Sequence, residues 1–137
     1  MRILALDHGT VRIGVAASDE LKMIARPVEF IATEPFSKFI ERLRELIREL
    51  QVEQILIGMP RNMDGSYGDA AAKVRVFIAA LKDVIAVPIR TWDERLTTVS
   101  ASKALRSGGT RASDQRGKID AASAAVLLQG YLDSLTP

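Results

Sequence analysis

Residues 3–17 read ILALDHGTVRIGVAA. Ile3 to Leu6 is an unbroken apolar run that reads as a buried strand, Ile13 to Ala17 is a second, and the turn between them opens with Asp7. A carboxylate at the mouth of a core strand is costly to ionise unless something pairs with it. The position therefore calls for a metal, a phosphate-linked cation or a basic partner. Thr91-Trp92-Asp93-Glu94-Arg95 and Lys118-Ile119-Asp120-Ala121-Ala122 repeat the situation far along the chain. Three carboxylates at three element ends are the feature that a functional reading has to explain.

Working outward, Val28 to Ala32 follows Pro27 as a third apolar run, so three adjacent strands are expected. Phe36, Phe39, Ile40, Leu43, Leu46, Ile47 and Leu50 recur at steps of three and four, which predicts an amphipathic helix. Gln54 to Gly58 is strand-like and ends at Met59-Pro60, and Ala70 to Leu81 has helical spacing through Val74, Phe77, Ile78 and Leu81. Val84 to Trp92 reads as a strand that Pro88 pushes to an irregular or edge position. Thr97 or Thr98 then caps a helix ending at Gly108-Gly109, and a last helix is expected from Lys118 to Leu135. Ser107 to Gly117 is the expected linker. Three strands followed by alternating helices and strands predict an α/β fold, a mixed β-sheet with helices on both faces, in one domain spanning 1–137.

Composition narrows the class. With 47% apolar and 26% charged residues the chain reads as a soluble globular protein, and no apolar run approaches the ~20 residues of a membrane span. Arg2 and a short strand-like run replace the long apolar stretch of a secretory leader, so the protein is expected to stay inside the cell. There is no cysteine, and His8 is the only histidine, which leaves mostly oxygen donors for any metal. The net charge of +2 is small, but Lys103, Arg106, Arg111, Arg116 and Lys118 face a single acid, Asp114, between 103 and 118. That stretch is the candidate nucleic-acid contact. Glu41 to Glu53, where both signs alternate, reads as a solvated helix face.

A central first strand would put Asp7 at the carboxyl edge of the sheet, where ligands of open α/β sheets bind, and Glu94 would follow the last strand onto the same rim. Asp120 falls in the first turn of the expected final helix, where a negative charge is favoured and where packing could aim it at the sheet. Two carboxylates about 4 Å apart repel by roughly 4 kcal/mol at an effective dielectric near 20, so three converging acids would hold a proton or demand a cation. Hard oxygen ligands favour Mg²⁺ or Mn²⁺, and such a centre grips phosphate oxygens and activates water for in-line displacement.

Four blocks carry a family resemblance: LALDHGTVRIGVAASD at 4–19, IGMPRNMDGSYG at 57–68, DERLTT at 93–98 and DQRGKIDAASAAVLLQGYLD at 114–133. In that order, and nearly end to end, they resemble the YqgF family, also called RuvX or Holliday junction resolvase-like proteins. The resemblance implies a ribonuclease H-like fold, with Asp7, Glu94 and Asp120 as the metal-binding acidic triad of a nuclease. It further implies that the chain trims the 5′ end of pre-16S rRNA. Four-way DNA junction cleavage is the alternative substrate, and it would favour a homodimer. Association with pre-ribosomal particles fits the first reading.

Each assignment has a plainer alternative. Asp7 could cap the Gly9 turn, Asp120 could merely stabilise a helix start, and Asp93 reads as a cap or supporting group. His8 should point away from Asp7, since successive strand residues face opposite sides. Arg12, Arg61, Asn62, Arg95, Arg111, Arg116 and Lys118 are the candidate nucleic-acid-binding residues, against solvated turn or loop positions. DHGTVRIG also resembles the first phosphate loop of sugar kinases and actin, which keeps a nucleotide-binding domain open, as is a non-catalytic module of the same fold.

Overall fold

The computed structural model describes residues 1–60, 68–94 and 112–135, with the side chains of 112–121 outside the description. Five strands form one sheet in the order β3-β2-β1-β4-β5: β1 (Arg2–His8), β2 (Arg12–Ser18), β3 (Ala25–Ala32), β4 (Val52–Met59) and β5 (Ile89–Asp93). β1 pairs antiparallel with β2 and parallel with β4; β2–β3 is antiparallel and β4–β5 parallel. The helices are α1 (Phe36–Leu50), α2 (Asp69–Val84) and α3 (Ala112–Ser134). This mixed sheet with helices on both faces is the arrangement expected from the apolar pattern, and it agrees with the ribonuclease H-like fold that the family resemblance implies.

The run that opened the sequence reading is the middle strand. Leu4 and Leu6 face one cluster with Phe39, Leu43, Val74 and Leu81 of α1 and α2, while Ile3 and Ala5 face another with Ala124, Leu127 and Leu128 of α3. Burial on both sides is why β1 carries no alternation. Ser18 is the one buried polar side chain in the described core, and its hydroxyl accepts the Ile3 amide hydrogen at 2.9 Å.

The expected boundaries of α1 hold, and those of β3, α2, β5 and α3 move. β3 begins at Ala25 rather than after Pro27: it is an edge strand with a register shift opposite Val15/Ala16, where a missing N–H is tolerated. Val84 closes α2, and β5 starts only at Ile89, because Pro88 cannot donate to the ladder and instead accepts from Ile55 N at 2.9 Å. α3 begins at Ala112, so 112–117 are helix and not linker. The helix expected after Thr97 and the linker's start at 107–111 lie outside the described residues. On α1, the supposedly solvated charges also tie the layers together: Arg42 donates to both oxygens of Glu29 on β3, at 3.0 and 2.6 Å, and to Glu45 at 2.9 Å.

Candidate active site

β1, β4 and β5 run in the same direction, so their carboxyl ends share one rim. Asp7 is the penultimate residue of β1, held opposite Gly14 of β2. By alternation from Ile3 and Ala5 it belongs to the face covered by α3. Gly58 of β4 lies one step beyond the pair Leu6↔Ile57 and opposite Trp92 of β5. It shares parity with Leu56, which places its missing side chain on that same face. A Cβ there would lie 2.6 Å from Glu94 Oε1 and 2.8 Å from its Cγ. The Glu94 carboxylate therefore occupies the space that Gly58 leaves, in the column next to Asp7, and neighbouring columns are about 4.8 Å apart.

Asp120 lies on α3, one helical turn ahead of the buried Ala124. With the helix starting at Ala112 it is the ninth residue, not part of the first turn, so helix-start stabilisation no longer accounts for it. One anchor of α3 lies in its hydrogen bonds to the β2–β3 turn and β3. Gln129 bonds Ala25 N and Met23 O at 2.9 Å, at the rim where Ile3 meets Ser18. Nine helical residues back from Gln129 is about 13.5 Å. Four strand residues from Ile3 to Asp7 is about 13 Å. The two lengths match, so a helix running straight back along β1 from Gln129 would bring the backbone of Asp120 to the level of Asp7.

The remaining candidates divide. Arg12 begins β2, with its guanidinium 4.8 Å from the centre of the Phe30 ring. Arg116 and Lys118 are on α3 with side chains outside the description, and Arg61, Asn62, Arg95 and Arg111 lie outside the described residues altogether. His8 faces away from Asp7, as alternation requires, with its ring 4.7 Å from that of Phe77. Burial, with a smaller contribution from the Lys73 charge, holds its pKa below the usual histidine value. Lys73 and Thr10 are absent from the sequence-based candidates, yet both line a cleft of about 290 Å³ that Glu94 and His8 also line. The available signal was Lys73's place beside Val74, in helical step with Ala70 and Phe77.

A cation fits the donor set. Asp7 and Glu94 offer only oxygens, and Gly58 supplies a recess without which Glu94 could not lie beside Asp7. Among the described residues no three His, Asp or Glu groups form a metal cluster, and the third candidate, Asp120, has its side chain outside that set.

The family model described as RuvX, Holliday junction resolvase, matches residues 1–134. The chain belongs to the RuvX family. A relative from Desulforamulus reducens, named as a pre-16S rRNA nuclease, is 47% identical over 134 residues, covering 98% of each chain. Another of that name, from Halothermothrix orenii, is 44% identical over 133 residues, covering 97% of this chain and 95% of the relative. Among solved structures, T. thermophilus RuvC in complex with a Holliday junction substrate aligns over 99% of this chain and 97% of its own. Its TM-score is 0.59 at 18% identity, a likeness of fold.

Proposed function

We propose that the chain is a divalent-metal-dependent nuclease that hydrolyses phosphodiester bonds in structured nucleic acid, and that its task is maturation of the 5′ end of pre-16S rRNA. The observation that carries the chemistry is the seating of Glu94 over Gly58 in the column beside Asp7. The substrate follows the names of relatives that match almost end to end. Asp7, Glu94 and Asp120 would hold Mg²⁺ or Mn²⁺. When bound, the cation offsets the repulsion among the acids, polarises phosphoryl oxygens and makes water a stronger nucleophile. Asp7 orients by strand pairing at the centre of the sheet, and Glu94 by the recess at Gly58. Trp92, packed edge-on against Tyr131 at 5.3 Å between ring centres, braces β5 just before Glu94. Arg12, Arg116 and Lys118 serve the phosphate backbone. The cytoplasm and pre-ribosomal particles are the setting this function requires.

The family description favours a second substrate, the four-way DNA junction. Acids that bind phosphate read neither ribose nor sequence, and symmetric cutting of a junction would need a homodimer. Incubating the protein with Mg²⁺ or Mn²⁺, precursor RNA and a DNA junction side by side, with Asp7→Asn as control, separates the two. Selective loss of the RNA in the wild-type lane supports processing; selective cutting of the junction supports resolution. Equal activity in the Asp7→Asn lane would refute the acid centre.

A further inference from the structure

Glu94 belongs to two environments at once. Over Gly58 it lies on the α3 face beside Asp7, and it also lines the cleft between the β1–β2 turn and α2. The cleft is not apolar. Thr10 contributes a hydroxyl and Lys73 an ammonium from the second turn of α2, while Pro60, Val74 and the His8 ring, resting on Phe77, form its walls. At about 290 Å³ it is at the small end of ligand sites, suited to a phosphate with part of its sugar rather than to a whole cofactor.

We infer that this cleft seats a phosphate flanking the scissile linkage of the strand being cut, with Lys73 as its binding residue, so that the strand bends over the carboxyl rim from the acids to α2. The inference rests on the nuclease reading above. An anion beside Glu94 is repelled until that carboxylate is neutralised, so the cleft does not suit a free anion. It suits a phosphate delivered by a strand whose neighbouring linkage already lies at the acid centre. Lys73 is exposed on a helix surface and outside both core clusters, so its replacement leaves folding intact.

The test pairs protein and substrate changes. Oligonucleotides carrying one uncharged methylphosphonate at each successive position are bound to Glu94→Gln protein, in which the carboxylate is neutral, and to the Glu94→Gln/Lys73→Gln double variant. Lys73→Gln weakens binding of the unmodified strand about five- to tenfold and lowers the salt slope by about one contact's worth. One methylphosphonate position reproduces that loss, and combining it with Lys73→Gln costs nothing further. Lys73→Arg restores binding to within about twofold. With the acids intact, Lys73→Gln raises KM and leaves kcat within about twofold. If no position is masked by Lys73→Gln, the assignment of the cleft is wrong, even if cleavage proceeds. If one position is masked while the wild type cuts nothing, the cleft stands and the nuclease reading falls.

Discussion

Glu94 Oε1 stands 2.6 Å from the point where a side chain on Gly58 would begin. Because the clashing atoms end a flexible side chain, Gly58→Ala should cost little stability but should drive the carboxylate out of its place beside Asp7. The expected result is at least a tenfold loss of cleavage, or about 1.4 kcal/mol of transition-state stabilisation. The melting temperature should stay close to wild type. A Gly58→Ala protein with full activity would show that the position of Glu94 is irrelevant to the chemistry.

Trp92 is the only tryptophan and lies two strand columns from Asp7, about 10 Å away. Mn²⁺ should quench its fluorescence in the wild type, and Asp7→Asn and Asp120→Asn should each abolish the response. Cleavage should fall at least 100-fold in both, about 2.7 kcal/mol. Without metal, Asp7→Asn should melt at or above the wild-type temperature, since one repelling charge has gone. Quenching that survives in both variants would move the cation elsewhere.

Leu128 is fully buried between α3 and the sheet, whereas Val76 is 72% exposed on α2. Leu128→Ala should lower unfolding free energy by about 2–5 kcal/mol in urea titration. Val76→Ala should stay within about 0.5 kcal/mol. Similar costs at the two sites would mean that α3 does not seal the second core.

Asp19 closes the β2–β3 turn by accepting hydrogen bonds from Met23 N at 2.8 Å and Ile24 N at 3.1 Å. These bonds, Ile24 first, hold its pKa below the ordinary aspartate value. A depressed carboxylate binds fewer protons folded than unfolded, so its contribution is present above about pH 3.8 and fades as pH falls further. The stability gap between wild type and Asp19→Ala should therefore be constant at neutral pH and narrow below pH 4. A gap that widens on acidification would contradict the sign.

The sequence announced what local pattern encodes. Unbroken apolar runs gave the central strand, three-four spacing gave α1, and carboxylates at strand ends gave Asp7 and Glu94. The prolines were read unevenly: Pro88 pointed correctly to an edge strand, β5, but stands just outside it, whereas Pro27 stands inside β3, where an edge strand can spare one donor. The start of α3 was hidden because Ala112 to Gly117 has no apolar repeat to announce a helix. Lys73 escaped notice because reading α2 by its apolar residues passes over a cation in step with them. The fit of Glu94 over Gly58 joins residues 36 positions apart, and only the pairing of β4 with β5 creates it.

The second core has a bearing on synthesis. Ile3, Ala5, Ala16 and Leu56 leave the ribosome well before their cover of Ala124, Leu127 and Leu128. Until that cover emerges, a nascent chain must carry one bare greasy side of its sheet, a natural landing place for a chaperone. The same delay bears on the proposed nuclease: with Asp120 as its third acid, an enzyme directed at ribosomal RNA would be born within reach of its target yet would stay disarmed until α3 had emerged and docked.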